Sequence, residues 1–464
     1  MRNQNPFFLS LIVCIFFLGS CTQAPAPLAE VLEEPYVKTT PEWAKNADIY
    51  EVNVRQYTKE GTFKAFQQHL PRLQEMEVDV LWFMPVHPIG VKNRKGGLGS
   101  YYSVKDYKGI NPEYGSMEDF KALVADAHSR GMKVIIDWVA NHTAWDHAWV
   151  DQGHMDWYTP DSIGGLQPPL GTDWWDVADL NYENKEMRNE MISDMEFWLK
   201  EVDIDGFRCD VAEWVPDEFW EDARVRLDAV KPVFMLAEAE HVEHHVKAFD
   251  MSYAWEWHFI MNELAQGKKG ASDVVAYLEK EKQFEPSAFR LNMTDNHDEN
   301  TWKGTVKERL GMGVQTMAVM SATIFGMPLV YSGQEASLDH RLEFFEKDEI
   351  SWEEMPLKGF YTRLMHLKHM NPALWNGSYG AQPKVISSMA DQRVIAYERV
   401  KDGNAVVVLL NMSDKARKVK LDSASQVGFY EELFTGAEVE LNMGYEEELG
   451  PWNYRVYHIT NIIE

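Results

Sequence analysis

Residues 206–210 read GFRCD and run directly into VAEW. In the preceding stretch, Val202, Ile204 and Phe207 stand against Asp203 and Asp205, an alternation that reads as a strand over 202–209. Arg208 and Asp210 are two residues apart, so a strand presents both on one side. At that spacing a guanidinium holds a carboxylate ionised and aimed, as a carboxylate nucleophile requires. A plain ion pair at a strand end would have the same local signature. Three other acid-bearing segments each follow an apolar, strand-like run: DWVANH (137–142), FMLAE (234–238) and TDNHD (294–298).

Together and in this order, the four segments resemble the signature motifs of the α-amylase family of glycoside hydrolases. VDVLWFMPV (78–86), YYSVKDY (101–107), DLN (179–181) and GMPLVYSGQE (326–335) extend the likeness over roughly 43–464. The resemblance implies a retaining cleavage of an acetal, in which one carboxylate attacks the sugar carbon and a second protonates the departing oxygen. It makes Asp210 the nucleophile, Glu238 the acid/base and Asp298 the third acid, which binds sugar hydroxyls. Arg208 would keep Asp210 ionised, His142 and His297 would hydrogen-bond the sugar being cleaved, Asp137 would support the site, and Tyr102 would stack beneath that sugar. Glu240 has the same strand parity as Glu238, and Tyr101 adjoins Tyr102, so spacing alone does not choose within either pair. Where many α-amylases carry a Lys-His pair after the nucleophile, this chain has Ala212-Glu213-Trp214. That places Trp214 beside the substrate and puts calcium binding and endo action on starch in question. No cofactor is needed for the chemistry. Hard oxygen donors suit Ca²⁺, and a structural calcium would take Asn141 with Asp179 or Asp176.

These residues need elements to hold them. Between 43 and 377, short apolar strands alternate with amphipathic helices, the pattern of parallel strands with helical crossovers. Eight strands are expected near 48–54, 78–85, 132–138, 202–209, 232–237, 249–253, 288–293 and 324–331, making a (β/α)8 TIM barrel whose chemistry sits at the carboxyl ends. In one crossover Ser116 and Asp119 form a capping box, Phe120, Leu123, Val124 and Ala127 share a face, and Gly131 ends the helix. Between strands three and four, 143–178 reads as a short inserted loop domain. Its five Trp (145, 149, 157, 174, 175) divide between sugar-stacking surfaces and a small core. From 378 to 464, closely spaced alternating strands with an Asp402-Gly403 turn indicate a C-terminal antiparallel β-sandwich domain.

The ends and the charge set the setting. Residues 1–21 read as a lipoprotein signal peptide: Arg2, a short apolar run, and LGSC, whose Cys21 would be lipidated. Residues 22–42, rich in Pro, Ala and Glu, read as a tether, so the protein is expected to be exported and membrane-anchored, facing the periplasm or the cell surface. Cys209 is then the only cysteine of the folded body, which excludes an internal disulfide. Lys plus Arg number 45 against 73 Asp plus Glu, and a net charge of −28 disfavours nucleic acid and favours a neutral substrate. The expected activity is hydrolysis of α-1,4-glucosidic bonds in starch, glycogen or maltooligosaccharides. The alternatives are a 4-α-glucanotransferase acting on the same glucans and a non-catalytic glycan-binding lipoprotein. All three acids and both histidines are present, which weighs against the last.

Overall fold

The computed structural model describes residues 36–423 and 427–460. The signal peptide, Cys21 and the tether up to residue 35 lie outside the described residues. Eight parallel strands close into a barrel: β1 (Ile49–Val52), β2 (Val80–Phe83), β3 (Lys133–Trp138), β4 (Gly206–Cys209), β5 (Phe234–Ala237), β6 (Met251–Tyr253), β7 (Phe289–Met293) and β8 (Met327–Tyr331), with β8 returning to β1. Each lies within its expected range.

The two-residue period of the strands builds two cores. Ile49, Val80, Trp82, Ile135, Phe234, Leu236, Leu291 and Leu329 fill the barrel interior. Tyr50, Leu81, Phe83, Val134, Ile136, Phe207, Cys209 and Met235 point the other way, into the helical layer. Asp137 continues the parity of Ile135, and Glu238 that of Phe234 and Leu236, so the inward row ends in carboxylates at the barrel mouth. By the same parity Cys209 faces away from Asp210, as a buried packing residue.

The expected strand over 202–209 begins later than its alternation suggests. Trp198–Val202 is π-helical and Asp203 takes φ 65°. Val202 and Ile204 are buried in the same outer layer as Phe207, so the alternation does not carry through. The Asp205 carboxylate fixes the entry to β4, accepting from the Val134 amide at 2.8 Å and lying 2.7 Å from His128 Nε2. The crossover helix Met117–Ser129 has the expected capping box and buried face, and Gly131 follows it at φ 87°.

In the 143–178 insertion, His142–Ala144 pairs antiparallel with Val177–Asp179. Trp149 and Trp157 are buried edge-to-face at 5.0 Å as its core, whereas Trp175 is half-exposed. Toward the C-terminus, a six-stranded antiparallel sheet and a separate two-stranded one are joined to the barrel by a shared core that includes Tyr397, Val408 and Val456. Asp402 (φ 52°) and Gly403 (φ 78°) supply the primed turn between Val394–Lys401 and Asn404–Asn411. The expected tether reaches too far. Lys38 Nζ donates to the His245 carbonyl, Arg224 Nη2 to that of Thr39, and Thr40 Oγ1 to Asp250 Oδ1 at 2.7 Å, so 38–42 belongs to the folded body. No helix among the described residues is long and apolar enough to cross a membrane.

Candidate active site

Arg208, fully buried on β4, is the hub of the barrel mouth. Its Nη1 donates to Asp137 Oδ1 and to Asp210 Oδ1, each at 2.9 Å, and Tyr253 OH lies 3.3 Å from its Nε. Its Nη2 stands 3.0 Å from Glu238 Oε1 but makes no aligned hydrogen bond. The Trp82 ring lies 5.0 Å beneath the guanidinium carbon. One cation therefore touches three carboxylates delivered by three adjacent strands, and it is hydrogen-bonded to two of them.

The surroundings separate the roles of these acids. Burial pushes Asp210 and Glu238 each up to about 7, against the pull of Arg208. Asp137, fully buried, is likewise raised to about 6. At neutral pH such a group cannot hold all its negative charges, and geometry decides which stays ionised. Asp210 receives an aligned bond from Arg208, whereas Glu238 has only the misaligned Nη2 and the Val211 amide, which donates to its Oε2 at 2.8 Å. The arrangement suits an ionised Asp210 and a protonated Glu238. Val211 adopts φ 36°, a left-handed backbone that a β-branched residue rarely takes, directly after Asp210.

Glu240 and Tyr101 are engaged elsewhere. Arg290 Nη2 lies 2.5 Å from Glu240 Oε1, and the Glu256 amide donates to Glu240 Oε2. Tyr101 is buried under Arg55 with its hydroxyl on Asn53. Tyr102 instead places its hydroxyl 3.1 Å from Asp137 Oδ2 and 2.7 Å from His297 Nε2, and burial with the Asp137 charge raises its phenol well above the usual range. His297 is held on its other side by Glu51 Oε1 at 2.5 Å, and its Nε2 is 3.4 Å from Asp298 Oδ2. Burial alone would lower His297, but Asp298 and Glu51 outweigh it and raise the imidazole to about 9. The structure thus brings Tyr102, Asp137, Arg208, Asp210, Glu238, His297 and Asp298 into one constellation.

His142 is buried at the start of the inserted ribbon and lowered to about 3 by desolvation, with the Trp174 ring 5.5 Å away. Trp214, half-exposed, stacks on Trp174 at 5.2 Å and 23°. Trp174 is one of the five Trp expected to divide between sugar-stacking and core, whereas Glu51, Trp82 and Tyr253 were not expected. A glutamate inside the apolar strand run IYEV is the one local signal that marks Glu51; Trp82 and Tyr253 are aromatic residues indistinguishable from core in sequence.

Two of the expected calcium ligands have protein partners. The Asn141 side-chain amide faces His142 Nδ1 at 3.2 Å, and the Asp176 carboxylate is paired with Lys95 Nζ at 3.1 Å. Among the described residues, the one group of three His, Cys, Asp or Glu ligand atoms within metal-binding reach is Asp48, Asp79 and His369, before β1 and β2 at the other end of the barrel. Asp176 thus already has a cationic partner, and no step below involves a metal ion.

A family model described as the alpha amylase catalytic domain matches residues 41–355. Among solved structures, a maltogenic α-amylase from Thermotoga neapolitana superposes with a TM-score of 0.82 at 28% identity, covering 90% of this chain and 100% of that one. An α-amylase from Haloarcula japonica is 26% identical over 83% of this chain, and an α-amylase from Dictyoglomus thermophilum is 28% identical over 64% of it. The matches span 58% and 65% of those two proteins' own lengths.

Proposed function

The chain belongs to the α-amylase family of glycoside hydrolases, and from that premise we propose that it cleaves α-1,4-glucosidic bonds in starch, glycogen or maltooligosaccharides by double displacement with retention. The observation that carries this reading is the single guanidinium of Arg208 touching both Asp210 and Glu238 at the barrel mouth. Asp210 attacks the anomeric carbon while Glu238 gives its proton to the departing oxygen, leaving a glycosyl ester on Asp210. Glu238, now a carboxylate, takes a proton from water, which attacks the same carbon and frees Asp210. Asp298 and His297 bind hydroxyls of the sugar being cleaved, and Tyr102 offers it a ring face. An acidic surface suits this neutral substrate.

A second reading has one observation in its favour. The Trp174–Trp214 stack offers ring faces on the leaving-group side, where an acceptor sugar in place of water would give a 4-α-glucanotransferase. Proton NMR with maltoheptaose distinguishes the two. Rising reducing ends with α-anomers formed first support the hydrolase; redistributed chain lengths at constant reducing ends support the transferase; β-anomers formed first would overturn retention. We also propose that the protein works outside the cytoplasm on a lipid anchor at Cys21. Palmitate labelling of the full chain that persists in Cys21→Ala would refute the anchor.

A further inference from the structure

We propose that Trp302 positions Asp298 through its indole N–H and offers its ring as a docking surface for the next glucose unit on the Asp298 side of the cleft. The proposal rests on the hydrolase reading and adds a residue to it. Trp302 lies in the π-helical turn Glu299–Lys303 that follows Asp298. Side chains four residues apart in a helical turn are neighbours on its surface, so Trp302 can reach back to Asp298. Here the reach is realised: Trp302 Nε1 donates to Asp298 Oδ1 at 3.1 Å. The other oxygen, Oδ2, faces His297 Nε2 at 3.4 Å, so the carboxylate is steered from both sides before any sugar arrives.

The ring of Trp302 remains 50% exposed, which is unusual for a side chain of that area. It does not stand alone. Phe344 lies 5.2 Å from it at 44°, and Phe344 in turn lies nearly parallel to Tyr102, at 12° and 6.3 Å. Tyr102, Phe344 and Trp302 therefore form an aromatic wall leading outward from the scission point. Two polymer segments are bolted together to hold it: the Leu342 amide donates to Asn300 Oδ1 at 2.9 Å, and Thr301 Oγ1 to the Leu342 carbonyl at 3.0 Å. Flat apolar rings beside a carboxylate suit a pyranose, whose C–H face stacks while its hydroxyls reach the acid.

Trp302→Phe keeps the ring and removes the N–H, whereas Trp302→Ala removes both. The probes are α-glucosyl fluoride, a single sugar with a leaving group that needs no proton, and maltopentaose. Both variants should lose about tenfold in kcat on both probes, the share of a hydrogen bond to a charged group. Trp302→Ala should in addition raise KM about three- to tenfold for maltopentaose and leave it unchanged for the fluoride. Wild-type kcat in Trp302→Phe overturns the positioning role, and equal KM values for the two variants on maltopentaose overturn the docking role. A wild-type protein that turns over neither probe overturns the hydrolase reading and this inference with it, which separates the two failures.

Discussion

Glu51 Oε1 on β1 lies 2.5 Å from His297 Nδ1, joining the first barrel strand to the loop that follows β7. Both side chains are buried, and Glu51 Oε2 has no partner, so this contact concentrates the charge of Glu51 on one bond. Together with the Asp298 charge, it raises the His297 imidazole to about 9. Because that folded-state value lies above the ordinary histidine value, the pair contributes stability that is complete below about pH 6.5 and is lost as pH rises through about 9. Glu51→Gln should therefore cost about 1.5–3 kcal/mol at pH 6. Urea unfolding at pH 6 and pH 10 checks this: the destabilisation should shrink at the higher pH, and equal losses at both would show that His297 is not charged by Glu51.

The pH dependence of turnover follows from the acid pair. With Asp210 and Glu238 each pushed up to about 7, kcat/KM should be bell-shaped with its maximum close to neutrality. In the proposed mechanism acid removes the nucleophile by protonating Asp210, and alkali removes the general acid by deprotonating Glu238. Glu238→Gln should lower kcat on maltooligosaccharides by about 10²–10⁴-fold, while Glu240→Gln, which only loosens Arg290, keeps the bell. A bell retained in Glu238→Gln and lost in Glu240→Gln would reverse their assignment.

The barrel and the acids were legible because both are written in short-range pattern. Strand parity alone sends Asp137, Arg208, Asp210 and Glu238 to the mouth, and Ser116 with Asp119 announces a helix start. What pattern does not carry is competition for partners. Glu238 and Glu240 are equivalent by parity, and only Arg290, fifty residues further on in sequence, removes Glu240 from the site. The strand expected from Val202 failed for a related reason: Val202, Ile204 and Phe207 are all buried in one layer, but a π-helical turn and the left-handed Asp203 bring the first two there.

Lys95 bears on metal dependence. Its ammonium pairs with Asp176 at 3.1 Å, donates to the Asp173 carbonyl at 2.9 Å and lies over the Trp175 ring, supplying in one side chain a positive charge beside the inserted ribbon. Exhaustive chelation should therefore leave both turnover and melting temperature unchanged, whereas Lys95→Ala should cost about 1–3 kcal/mol by leaving the buried Asp176 carboxylate unpaired. Calorimetry with and without chelator checks the first, and a fall in melting temperature on chelation would return calcium to the ribbon.

Val211 gives a prediction that joins stability to the pH profile. At φ 36° its branched side chain is strained, and strain of this kind costs on the order of 1–3 kcal/mol. The same backbone turn aims the Val211 amide at Glu238 Oε2. Val211→Gly relieves the strain but adds about 0.5–1 kcal/mol of unfolded-state entropy, so a net gain of up to about 2 kcal/mol is expected. The freed turn then holds its amide less firmly. A hydrogen bond to the charged form of Glu238 favours that form, and loosening it should move the alkaline limb of the pH profile upward. Denaturant unfolding together with the pH profile of Val211→Gly tests both halves. A variant less stable than the parent would show that the valine side chain contributes more by packing than its backbone costs, and an unmoved alkaline limb would show that the amide does not tune Glu238.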